Sequence, residues 1–128
     1  MSKLDKFVLV TSFLLVGLTS SAFAQTSTAT LRGTVEDGSG NVTLGATVTL
    51  TQASTGLKRT FAVRGDGQYN FTFLETGGYS LEVQAQGFKS YKLERFELAV
   101  AQNAELNIVL QPGNITDTIT VTASEASL

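Results

Sequence analysis

Between Thr30 and Glu36 apolar and polar residues alternate, and the turn formers Asp37-Gly38-Ser39-Gly40-Asn41 close that stretch. The same two-residue period returns in Ala46, Val48 and Leu50, which alternate with Thr47, Thr49 and Thr51, and β-branched residues of this kind suit a half-buried strand. Lys58 to Val63 and Gln68 to Phe73 follow. Arg64-Gly65-Asp66-Gly67 between them has glycines where a tight turn needs positive φ, which predicts a β-hairpin. Beyond Leu74-Glu75-Thr76-Gly77-Gly78, the positions Tyr79, Leu81, Val83 and Ala85 share one face. Alternating stretches near Lys89 to Leu98 and from Ala104 to Leu110 bring the expected total to seven strands, and no segment has a helical period. The pattern predicts an all-β sandwich. Tyr69, Phe71, Leu74, Tyr79, Leu81 and Val83 should form one core, as alternate positions of adjacent antiparallel strands.

The two ends of the chain read differently. Lys3 and Lys6 precede an uncharged apolar run from Phe7 to Leu18, and Ala22-Phe23-Ala24 has the small residues of a cleavage site, so residues 1–24 read as a secretory signal peptide. The run is too short for the roughly 20 residues that span a bilayer. Residues 25–29 read as a linker and 30–111 as the sandwich. After Pro112, residues 112–128 carry too few apolar side chains to offset their ordering, which predicts a flexible tail.

Composition removes most chemistry. The 128 residues include no cysteine, histidine or tryptophan, so disulfides, thiolate or imidazole metal ligands and histidine-based nucleophile systems are excluded. A formal charge of −2 speaks against nucleic acid as a partner. Asp37 to Asn41 resembles the opening of a calcium loop, but Val48 stands where an EF-hand needs its bidentate glutamate. Arg64-Gly65-Asp66 is explained by turn chemistry, and Asp66, Glu75, Glu82, Glu94 and Glu97 lie scattered without activating partners. The expectation is therefore no catalytic residue, no cofactor and no metal.

A longer series of residues carries a resemblance. Gly33-x-Val35-x-Asp37, Gly45-Ala46-x-Val48, Thr55-Gly56 and Gly67-x-Tyr69-x-Phe71-x-x-Leu74-x-x-Gly77-x-Tyr79-x-Leu81-x-Val83-x-Ala85-x-Gly87-Phe88 resemble the carboxypeptidase regulatory-like domain. This resemblance implies a seven-stranded Greek-key sandwich of the prealbumin or transthyretin type. Joined to a signal peptide and to Gly113 to Ala123, with Thr120-Val121-Thr122-Ala123 as the matching part, the chain is similar to the front end of Oar-like TonB-dependent outer-membrane receptors. It then implies a periplasmic location, on the inner side of the outer membrane. The implied partner is a TonB-type energy-coupling protein, or a receptor plug and barrel that these residues do not include. Ile119 and Val121 would carry docking by strand addition. The alternative is a carbohydrate-binding module of starch-binding-like fold, with Tyr91 and Phe96 as stacking residues.

Overall fold

The computed structural model describes residues 28–124, so the predicted signal peptide and most of the predicted linker lie outside the described residues. The strands are β1 (Ala29–Asp37), β2 (Thr47–Gln52), β3 (Lys58–Ala62), β4 (Gln68–Leu74), β5 (Gly77–Gln84), β6 (Ser90–Leu98), β7 (Asn103–Glu105), β8 (Ile108–Leu110) and β9 (Thr118–Val121). Among the described residues there is no helix. One sheet has β1 at its centre, antiparallel to β4 on one side and parallel to β7 and then β8 on the other. The second sheet runs β3-β2-β5-β6-β9.

The inward side chains of both sheets interdigitate, as sandwich packing requires. Leu31, Val35, Tyr69, Phe71, Ile108 and Leu110 from the first sheet meet Val48, Leu50, Leu81, Val83, Leu93 and Phe96 from the second, all buried. The six predicted core residues are all buried. They share the core for a different reason than expected: β4 and β5 belong to opposite sheets, so their side chains meet face to face.

The hairpin expected around Arg64-Gly65-Asp66-Gly67 is an arch between the two sheets. Both glycines have positive φ, 42° and 72°, and Gly67 N–H donates to the Arg64 carbonyl at 2.9 Å. Pairing between the two arms nevertheless stops at the single bridge Arg64 to Gln68. β3 pairs along its whole length with β2, and β4 pairs with β1. Phe61 and Phe71 consequently meet edge to face across the interior, with centroids 6.1 Å apart. Turn residues determine that the chain reverses, whereas the partner of each strand is decided by which apolar face must be covered.

The last expected strand, Ala104 to Leu110, is broken in two, and the break has an identifiable cause. Tyr69 is paired with Gly33 across β4 and β1, and its hydroxyl donates to the Leu106 carbonyl at 2.6 Å. That carbonyl occupies the space over Gly33, where an added Cβ would collide with it. Leu106 N–H still donates to the Arg32 carbonyl at 2.8 Å. One residue later the Asn107 side chain takes over: Oδ1 accepts from Thr34 N–H at 3.0 Å and from Thr34 Oγ1 at 3.1 Å. Pairing with β1 resumes at Val35 and Ile108.

Of the predicted flexible tail, residues 125–128 lie outside the described residues, and residues 112–121 are bonded to the sandwich. Lys89 N–H donates to the Gln111 carbonyl at 2.8 Å, Ser90 Oγ to the Ile115 carbonyl at 2.6 Å and Ser90 N–H to the Asp117 carbonyl at 2.8 Å. These bonds carry the chain from the first sheet to the second, where β9 lies parallel to β6. Main-chain bonding to an existing edge and partial burial of Ile119 and Val121 supply what the low apolar content of the tail alone does not. The Asp37 loop is a self-capped turn: backbone N–H groups of Asn41 and Ser39 donate to its carboxylate and hold its pKa below the ordinary value.

Two outcomes follow from the Tyr69 contact. Gly33→Ala forces the Leu106 carbonyl away and should destabilise the sandwich by about 3 kcal/mol or more in a denaturant titration. Burial also pushes the Tyr69 phenol well above its ordinary value, with Tyr91 adding a smaller push. The folded form thus keeps its proton while the unfolded chain loses one above about pH 10, so this stability is complete below that pH and is lost as pH rises further. Tyr69→Phe should lower stability at neutral pH by about 1–3 kcal/mol and flatten the alkaline decline. Tyr79 and Tyr91, also raised by burial, retain part of that decline. Unfolding midpoints at neutral and alkaline pH for both proteins measure this.

Candidate functional site

A cleft of about 620 Å3 opens at one end of the sandwich, between the β2–β3 turn and the β4–β5 connection. Its floor is Leu50, Leu74 and Tyr79, all buried. On the rim stand two apolar side chains that the core does not hold, Leu57 at 60% and Phe73 at 81% exposure. The Tyr69 and Phe71 alternation would carry Phe73 inward. Pairing of β4 with β1 shifts by one residue here, and Phe73 adopts a φ of 55°, so that Leu74 enters the core and Phe73 faces out.

The polar lining is braced. Thr55 Oγ1 donates to Gln52 Oε1 at 2.8 Å, and Gln52 Nε2 donates to Glu75 Oε2 at 3.0 Å. Arg59 Nη1 donates to the Thr72 carbonyl at 2.7 Å while its guanidinium lies 5.7 Å from the centroid of the Phe71 ring. Tyr79 donates its hydroxyl to the Glu75 carbonyl at 2.8 Å. Burial, and secondly the Glu75 carboxylate, push the Tyr79 phenol above its ordinary value against the opposing Arg59 charge, so it stays protonated at neutral pH. The cleft thus offers one carboxylate, one guanidinium and one amide in fixed positions beside an exposed aromatic ring. Such a set can hold and orient a polar molecule that has an apolar face. Among the described residues no group of three or more carboxylates is placed to hold a metal ion.

The residues singled out from the sequence lie elsewhere. Phe96 is only 2% exposed and packs against Tyr79 with ring centroids 6.2 Å apart, so it cannot stack on a sugar. Tyr91 is half-buried beside Ile119 in the β6–β9 pairing. Ile119 and Val121 are half-buried on β9, opposite Tyr91 and Leu93, and Val121 packs on the core. Phe73 is not among the site residues expected from the sequence, although the adjacent apolar pair Phe73-Leu74 breaks the two-residue period and so signals that one of them must face solvent.

Residues 30–111 match the family model of the carboxypeptidase regulatory-like domain. The chain belongs to that family. No curated protein sequence matches it at a significant level. Among solved structures it is similar to a candidate carbohydrate-binding protein of Bacteroides uniformis, with a TM-score of 0.54 and 15% identity over 67% of this chain and 42% of that one. A candidate carbohydrate-binding protein of Pseudomonas aeruginosa gives 0.51 and 11% over 69% of this chain and 92% of that one. The 5-hydroxyisourate hydrolase of Klebsiella pneumoniae gives 0.52 and 21% over 66% and 91%. The chain therefore spans less than half the length of the Bacteroides protein, and at these identities the likeness is one of fold.

The geometry of β9 yields a specific expectation. Peptide groups of successive residues in a parallel strand turn to opposite sides, and the Asp117 carbonyl accepts from Ser90, so Ile119 and Val121 face β6 while Thr118 and Thr120 face outward. In hydrogen exchange the amides of Ile119 and Val121 should be protected and those of Thr118 and Thr120 should exchange fast. Uniformly fast exchange across all four would show that β9 is detached in solution.

Proposed function

We propose that this regulatory-like domain is the exported N-terminal module of a TonB-dependent outer-membrane receptor, a non-catalytic prealbumin-like sandwich that works by docking a partner on the periplasmic side of that membrane. The observation that carries the reading is β9: the segment similar to the receptor's TonB-box region ends the second sheet as an edge strand. An edge strand presents unpaired main-chain donors and acceptors, the template on which an extended partner segment adds. Family membership of residues 30–111 supports the module, and the charged run-up, apolar stretch and Ala22-Phe23-Ala24 of the N-terminus support export. Ile119 and Val121 fix the strand in register by their inward side chains. The outward peptide groups of Thr118 and Thr120 are then the docking groups, and the incoming strand belongs to the TonB-type protein.

Thr120→Pro tests this directly, because it removes an outward donor without removing a bond to β6, and proline is tolerated at an edge. The sandwich should keep its stability within about 0.5 kcal/mol, and titration of the chain against the periplasmic domain of a TonB-type protein should lose most of its affinity. Equal binding by the two forms, or binding by neither, overturns the reading.

A further inference from the structure

Phe73 is anomalous in two independent respects. It is a large apolar side chain left 81% exposed, and it holds a φ of 55°, a left-handed conformation that is strained for any residue with a bulky side chain. The bulge that admits Leu74 to the core needs a residue at this φ, but glycine would serve it without strain and without an exposed ring. Fold requirements therefore account for the bulge and leave the identity of the side chain unexplained.

Its surroundings point to a ligand class. The exposed Leu57 also lines the cleft, as do the buried Gln52 and the side chains of Glu75 and Arg59, each already fixed by a bond to a neighbour. Glu75 is engaged through Oε2, and a guanidinium has five N–H groups of which Nη1 uses one on Thr72. Planar groups fixed in advance lose little freedom when they bind, which favours a ligand with many hydroxyls at set angles. A pyranose has that rim of hydroxyls around an apolar C–H face, and the C–H face stacks on an exposed aromatic ring. The cleft, about 620 Å3, is of the size that takes a small ligand, with room for about two sugar rings. A protein partner would ask for a broader continuous apolar surface than two side chains provide.

We propose that this cleft is a saccharide-binding site in which Phe73 is the stacking platform, Glu75 and Arg59 bind ring hydroxyls, and the buried Gln52 holds Glu75 in place. The site goes beyond the receptor reading and does not depend on it, because β3 and β9 are opposite edges of the second sheet.

The test is an NMR titration of the full chain with maltotriose, cellotriose, chitotriose and mannotriose, each to about 20 mM, which covers the weak millimolar affinities expected of a single shallow site. At least one should shift the amides of Gln52, Leu57 and Phe73 to Glu75 saturably. Phe73→Gly should leave the melting temperature unchanged or raise it, because the strain is relieved, while weakening that saccharide at least about tenfold. Glu75→Gln should weaken it less and alter the preference among the four sugars. Absence of localised shifts with all four sugars overturns the proposal, as does binding that survives Phe73→Gly. Loss of TonB-domain binding in Phe73→Gly would assign the cleft to a protein and also overturn it, whereas loss only in Thr120→Pro leaves the two sites separate.

Discussion

Because the Tyr69 hydroxyl takes the carbonyl of Leu106 as its acceptor, the strand beside β1 cannot pair without interruption. A buried phenol left unpaired is costly, and the nearest acceptor is on the strand across β1. Leu106 turns its carbonyl inward, β7 and β8 become separate pieces, and Asn107 supplies by its side chain the acceptor that the main chain has withdrawn from Thr34. Gly33 must then have no side chain, since the carbonyl occupies the place of its Cβ. Three strands are joined at one point in this way, and the inner face of the first sheet takes its register from it.

Departures from regular pairing also shape the two surfaces of interest. On β4 the shift near Leu74 turns Phe73 into solvent and opens the cleft between the two end turns. At the opposite edge of the second sheet, the crossover anchored on Ser90 delivers β9 to β6 and renews the sheet edge one strand further out. In both places the core is satisfied first, and the chemistry offered to solvent is what remains. Leu74 is inside, so Phe73 is outside; Ile119 and Val121 face inward, so the peptide groups of Thr118 and Thr120 are presented. With no helix among the described residues, departures from regular strand pairing are the main way this sandwich creates a distinctive surface.

The sequence by itself determined the alternation of faces, and with it the two-layer all-β architecture, the burial of Tyr69, Phe71, Leu74, Tyr79, Leu81 and Val83, and the positions of most turns. A side chain's face in a strand depends only on its parity along the chain, which is local information. Family membership was legible for the same reason, because glycines and alternating apolar residues at fixed spacing record turns and faces. Strand partners were decided only in three dimensions. Arg64 to Gly67 has the residues of a hairpin turn and serves an arch, because β3 pairs with β2 and β4 with β1, in opposite sheets. Phe96 lies in the core and Phe73 outside it because pairing shifts locally in two separate places, between β5 and β6 just before Phe96 and between β4 and β1 at Leu74, and each shift changes which residue of its own strand faces inward. Thr118–Val121 became a strand because the edge at β6 accepted its main chain, and main-chain bonding leaves almost no trace in side-chain pattern.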